Sequence, residues 1–209
     1  TGTGKTRIQS MFANELKGVR LILAPLAVAG QTIIEAKELG ICIQYASGYE
    51  DIDGDGIYIT NYDRFERFEQ VKLDAVILDE SSIIKSHDGK FRNYLQERCK
   101  DIPFKLCLTA TPAPNDYMEL GTHSEFMGAM TRSEMLATYF THDGGDTAKW
   151  RLKGHARRDF FEWVSTWALV FDHPADIGFD QPGYDLPPLN VINHIIEVES
   201  DIGEGLFGD

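Results

Sequence analysis

Short apolar runs that alternate with stretches of helical periodicity set the strongest limit on how this chain can fold. Residues 21–26, 56–62, 75–79, 105–111, 168–171 and 191–198 read as strands, several of them apolar throughout. A strand that is apolar on both faces belongs inside a parallel sheet covered by helices on both sides. Helical spacing falls between the runs, at about 5–16, 28–39, 62–69, 91–99, 117–121, 133–139 and 155–166. The alternation predicts an α/β fold with a mostly parallel sheet. Ligands of such folds collect beyond the carboxyl ends of the strands, so polar residues at those ends become the candidates for function. Residues 46–55 and 141–154, the latter around Gly144-Gly145, read as loops.

Composition narrows the classes of function. The chain has 209 residues, 43% of them apolar and 25% charged, enough for one good-sized core. No run approaches the roughly 18 apolar residues a membrane span needs, so no membrane partner is expected. The chain opens on TGTGKT rather than a leader pattern, and its three cysteines lack paired spacing; reduced thiols and a cytoplasmic location are the expectation. A net charge of -13 excludes a protein that grips nucleic acid with a general basic surface. The charge is uneven: residues 106–209 carry 6 basic against 17 acidic residues, and none of the 6 lies after Arg158.

Thr1-Gly2-Thr3-Gly4-Lys5-Thr6 is the second half of the phosphate-loop pattern GxxxxGK[ST]. Glycines let backbone amides approach a polyphosphate, and the helix that follows presents its positive end to it. Gly2, Thr3, Gly4, Lys5 and Thr6 are therefore the candidate nucleotide contacts, with Lys5 on the phosphates and the Thr6 hydroxyl on Mg²⁺. The apolar run Ala75-Val76-Ile77-Leu78 leads straight into Asp79-Glu80-Ser81-Ser82. An acidic pair at the end of a buried strand suits the same chemistry, Asp79 holding the Mg²⁺ shell and Glu80 orienting or deprotonating the attacking water.

Further segments fall into a recognisable order: Leu23-Ala24-Pro25-Leu26, Ile59-Thr60-Asn61-Tyr62, Asp79-Glu80-Ser81-Ser82 with Ile84-Lys85-Ser86, then Leu108-Thr109-Ala110-Thr111-Pro112-Ala113-Pro114-Asn115. With GTGKT in front, this series resembles the first lobe of superfamily 2 helicases, and within them the Swi/Snf-type ATPases and the DEAD/DEAH-box-like helicases of bacteriophages. The resemblance spans nearly the whole chain, through Leu186-Pro187-Pro188. It implies a RecA-like P-loop NTPase sandwich over residues 1–200, a helical part at about 115–166, and a linker or cut end at 201–209. It also implies ATP and Mg²⁺ as cofactors, ATP hydrolysis coupled to movement on nucleic acid, DNA foremost, and a second lobe beyond these residues. Lys5 and Glu80 would be catalytic, and Thr109, Ala110 and Thr111 would couple hydrolysis to lobe movement. Ala24, Pro25, Asn61 and Tyr62 would lie along the nucleic-acid path. The same residues leave open the motor subunit of a restriction system, or a nucleotide-binding module without catalysis.

Other features carry less. Residues 149–158 hold five basic residues and no acid, interleaved with Trp150, so Arg151, Arg157 and Arg158 are candidates for phosphate contact. A helix start with Trp150 packed inward explains the stretch equally well. Asp51, Asp53 and Asp55 with Gly56 imitate the start of a calcium loop, but position 12 is Tyr62, and an acidic surface loop is the better account. The six histidines show no ligand spacing. Phe160, Trp163 and Trp167 read as a helical core stripe.

Overall fold

The computed structural model describes residues 4–86, 89–143, 146–179, 183–184, 189–192 and 194. The chain divides into two compact units, Thr1–Val170 and Phe171–Asp209. In the first, β1 (Val19–Ala24), β2 (Ile43–Tyr45), β3 (Gly56–Asn61), β4 (Ala75–Asp79) and β5 (Phe104–Leu108) form one sheet. Its order is β2-β3-β1-β4-β5, and every neighbouring pair is parallel. The α/β architecture expected from the alternation is the one observed.

The sheet is buried on both faces because its strands are apolar at successive positions. Leu21, Leu23, Val76 and Leu78 point to one side, where they meet Phe65 and Phe68 of a 3-10 segment (Tyr62–Phe68) and Leu95 and Cys99 of α4 (Gly89–Cys99). Ile22, Ala24, Ala75 and Ile77 point to the other, against Ala13 of α1 (Lys5–Asn14) and Ala29 and Ala36 of α2 (Ala29–Glu38). Alternate residues of one strand thus feed two cores. Small alanines on α1 and α2 let those helices sit close to the strands.

Beyond β5 the chain builds a different core. It comprises α5 (Leu120–Met127), α6 (Arg132–Tyr139), a hairpin of β6 (Phe140–Asp143) and β7 (Asp146–Leu152), and α7 (Arg157–Ser165). The short helix α3 (Ile83–Ser86) lies earlier in the chain, between β4 and α4. Leu120, Met135, Leu136, Phe140, Phe160 and Val164 fill this second core, and Trp163 and Trp167 pack against it with ring centroids 5.5 Å apart, as the stripe predicts. A capping box between Thr131 and Glu134 starts α6.

Two expectations change. Residues 141–154, read as a loop, contain most of the hairpin, because Phe140 pairs with Leu152 and His142 with Trp150 across it. Gly144 and Gly145 themselves lie outside the described residues. Residues 168–171, read as a strand, are irregular: Leu169 and Val170 stand 72% and 71% exposed, and among the described residues no strand pairs with them. The strand expected at 191–198 and the segments 186–188 and 201–209 fall largely or wholly outside the described residues. In the second unit, Asp176 accepts backbone N–H bonds from Asp172 and His173, which hold its carboxyl below the usual range.

Candidate functional site at the carboxyl edge of the sheet

The register brings the separate polar segments to one edge. Ala24 at the end of β1 lies beside Asn61 at the end of β3, Leu23 beside Leu78, and Asp79 at the end of β4 beside Leu108 of β5. Pro25, Tyr62, Glu80 and Thr109 each follow directly on one of these strands. Because β3 and β4 flank β1 on opposite sides, the chain reverses its direction of progress here, the position where open α/β sheets leave a crevice.

The first two turns of α1 face the end of β4. Gly4 adopts the left-handed conformation at φ 84°, opening the helix where a Cβ-bearing residue would be strained. Among the described residues, no atom beyond its immediate chain neighbours stands within 4 Å of where its Cβ would be. Lys5 Nζ donates to Glu80 Oε2 at 2.9 Å. One turn on, Gln9 Nε2 donates to Asp79 Oδ2 at 3.3 Å. Four residues apart, Lys5 and Gln9 share a helix face, which lets one helix address both acids. Gln9 escaped sequence reasoning, although that spacing was its signal.

The acids differ in environment. Asp79 is 6% exposed, and burial pushes its pKa above the ordinary aspartate value, while Gln9, Lys5 and the Glu80 N–H pull it back. Glu80 is more open, and it is the one non-glycine residue with positive φ among the described residues, at 53°. That conformation costs on the order of 1–3 kcal/mol and persists only where neighbours over-determine it. Thr109 Oγ1 lies 3.4 Å from Glu80 Oε1 and accepts the Thr111 N–H at 3.0 Å, so the threonine turn touches the acid directly. Ala110 and Thr111 are exposed beside it.

Under the acids runs a buried polar layer. The Tyr62 hydroxyl donates to the Asp79 carbonyl at 2.8 Å, Ser81 N–H donates to the Leu108 carbonyl at 2.8 Å, and Ser81 Oγ meets His123 Nε2 at 3.0 Å. Burial raises the Tyr62 phenol well above its usual range and pushes the Cys107 and Cys99 thiols up to about 12, so these thiols stay protonated and unreactive. His123 carried no spacing signal in the sequence and is a site neighbour that only the fold reveals.

On the expected nucleic-acid path, Ala24 is fully buried, Asn61 is 7% exposed and Tyr62 is 3% exposed and bonded to the Asp79 carbonyl, so these three side chains face inward at the strand ends. Pro25 is half-buried at the same edge. The basic stretch is separate, on the hairpin and α7. There Lys153 Nζ donates to the Ala137 and Thr138 carbonyls at the end of α6, Arg157 lies 5.9 Å from the Phe161 ring, and Arg158 pairs with Glu162 at 2.7 Å. Arg151 lies on β7, opposite Thr141. Gly2 and Thr3 lie outside the described residues. The calcium-like loop is no cradle, since Asp53 accepts from Tyr58, Asp55 pairs with Arg20 and Asp51 accepts the Ser47 N–H.

Among the described residues no three His, Cys, Asp or Glu side chains cluster as a metal site. A hard divalent cation would instead rely on Asp79, the Thr6 hydroxyl one residue past Lys5, and oxygens of a phosphate ligand, the donor set Mg²⁺ takes in phosphate sites. The buried Gln9 Oε1, which has no hydrogen-bond partner among the described residues, fits that group, as it could accept from a metal-bound water. No protein-family model matches the chain, and no curated protein matches it either.

Proposed function

We propose that the chain is the first lobe of a RecA-like, superfamily 2 nucleic-acid motor that hydrolyses Mg²⁺-ATP to move on nucleic acid, DNA foremost. One observation carries the reading: the first turns of α1 meet the end of β4, Lys5 Nζ lying 2.9 Å from Glu80 and Gln9 Nε2 3.3 Å from Asp79. A phosphate-binding loop and an acidic strand end must converge in this way for either to act on a triphosphate. Mg²⁺-ATP, when bound, supplies the transferable phosphoryl group and offsets charge around it.

The residues of the chain then divide the work. Lys5 exchanges its partner Glu80 for phosphate oxygens, and backbone amides at the start of α1 add their positive end. That exchange frees the Glu80 carboxylate to take a proton from water. Asp79, held by Gln9, would be the carboxylate that binds Mg²⁺. Thr109, within reach of Glu80, registers the change at the acid and passes it to Ala110 and Thr111 at the surface.

The deciding experiment measures ATP hydrolysis by the full chain, alone and joined to a second lobe, with single-stranded DNA, double-stranded DNA and RNA. Hydrolysis should rise with DNA, and Glu80→Gln should reduce it by about 100-fold or more while nucleotide still binds. Nucleotide binding without nucleic-acid-stimulated hydrolysis would favour the non-catalytic module, and full activity in the Gln variant would remove Glu80 from the reaction.

A further inference from the structure

We propose that His123 is a positioning residue for Glu80 and acts through Ser81. The inference rests on the reading of Glu80 as the base, and it adds a dependence on α5 that the motifs do not contain. Glu80 sits in a left-handed turn, so its carboxylate is only as well placed as that turn. Among the bonds that hold the turn are the Ser81 N–H to the Leu108 carbonyl at 2.8 Å, the Ile83 N–H to the Glu80 carbonyl and the Ile84 N–H to the Ser81 carbonyl, both at 3.1 Å, and Ser81 Oγ with His123 Nε2 at 3.0 Å.

The backbone bonds are available to any residue, whereas the Ser81–His123 bond depends on side chains that are both buried, Ser81 fully and His123 to 4% exposure. Shielded from water, the hydroxyl–imidazole bond is not competed for by solvent, so its loss is felt at the turn even though the Ser81 side chain also bonds the Cys107 thiol. Either neutral tautomer serves, with Nε2–H donating to Oγ or Oγ–H donating to bare Nε2. His123 lies 42 residues after Ser81, on a helix wedged between two cores. Phe126 of α5 packs into the sheet core and Leu120 into the aromatic core. A shift of α5 therefore moves the imidazole, and with it the turn that aims Glu80.

The test compares Ser81→Ala, His123→Leu, His123→Gln and the Ser81→Ala/His123→Leu double variant in the full chain. Two quantities are read: steady-state ATP hydrolysis, and amide hydrogen exchange in residues 79–84. The Ala and Leu variants should each lower kcat by about 10-fold or more with KM for ATP within about twofold. The double variant should be no worse than the poorer single, since both remove one bond. Exchange in 79–84 should quicken, and His123→Gln, which keeps a donor and an acceptor at similar reach, should recover most of both effects. Unchanged kcat and exchange would overturn the proposal. So would losses that multiply in the double variant, or a rise in KM with early melting of the whole chain, which mark a purely structural histidine. If His123→Leu does not fold, Ser81→Ala carries the test with a smaller change. If the wild type hydrolyses no ATP with any nucleic acid, the proposed function fails, and hydrogen exchange alone decides whether His123 clamps the turn.

Discussion

The parallel sheet and the appended part beyond β5 are held together by different chemistry. The sheet core is mainly aliphatic, with Leu21, Ile22, Leu23, Ile77 and Leu78 fully buried, and its carboxyl edge concentrates buried polar groups: Gln9, Thr60, Asn61, Asp79 and Ser81. The appended core is a cluster of rings around Phe160, with Tyr117, Tyr139, Phe140, Phe161 and Trp163 at centroid distances of 5.3–6.2 Å. The sheet edge therefore accepts strain and desolvated charge for the sake of chemistry, while the appended part is devoted to packing. Helix α5 belongs to both, and its buried Thr122, His123 and Ser124 are the polar residues between them.

Removing the centre of the ring cluster should give the largest effect. Phe160→Ala should cost about 3–5 kcal/mol, because so many rings lose a partner at once. Because α5 is shared, a thermal melt should lower one common transition. Two separate transitions, with the sheet surviving alone, would show that the cores are independent and that α5 is no seam.

Lys5→Ala comes next and acts on function instead of fold. The Lys5–Glu80 pair is partly exposed, with side-chain accessibilities of 21% and 41%, so its loss should alter stability by no more than about 1 kcal/mol. Nucleotide affinity, measured by calorimetry with Mg²⁺-ATP, should fall about 10–100-fold. A large loss of stability with unchanged affinity would reverse the assignment of roles between the two regions.

Asp79→Asn tests the cost of the desolvated acid. Burial raises the folded pKa of Asp79 above its unfolded value, so the native state holds the proton more firmly. Any stability from the protonated form is therefore present at low pH and lost as pH rises through the raised value. At neutral pH the ionised side chain destabilises the ligand-free chain, and the Asn variant should melt about 1–3 °C higher. The gain should vanish as the solution is acidified towards the unfolded aspartate range. A variant that melts lower at neutral pH would mean that Gln9 and Lys5 outweigh burial.

The sheet was far more legible in the sequence than the appended part, and the reason is physical. Runs such as 75–78 are apolar at every position because both faces are covered, and that pattern leaves few alternatives to a central parallel strand. Lys5, Asp79, Glu80 and Thr109 were legible because each lies directly at a strand or helix end, where local sequence decides position. β2, with Ile43 buried and Gln44 and Tyr45 exposed, gave too short a run to read. The hairpin at 140–152 was hidden by its glycine pair and basic residues, since its stability comes from cross-strand ring contacts. Gln9 signalled itself only by its four-residue spacing from Lys5, its partner Asp79 lying 70 residues away, and His123 depends on a neighbour 42 residues away that no local pattern encodes. At Asn61 and Tyr62 the strand end names the edge but leaves open whether a side chain faces solvent or core, and both are buried.

The smallest effect is expected on the surface of the appended part, and it asks whether that part only packs. If Arg151, Arg157 and Arg158 contact phosphates, replacing all three with Gln should weaken binding to a single-stranded oligonucleotide and flatten its salt dependence, by about 2 in the log–log slope if each meets one phosphate. Arg158 already pairs with Glu162 at 2.7 Å, across side chains 85% and 61% exposed, so a phosphate must compete with that carboxylate. Glu162→Gln removes the competitor and one repelling charge while leaving the basic residues in place. It should tighten binding about two- to threefold at low salt, with the gain fading as salt screens the site. Fluorescence anisotropy across a salt series reads both changes. Equal affinities in wild type, the triple variant and Glu162→Gln would confine nucleic-acid contact to the sheet edge and leave the helices and hairpin beyond β5 as scaffold for α5.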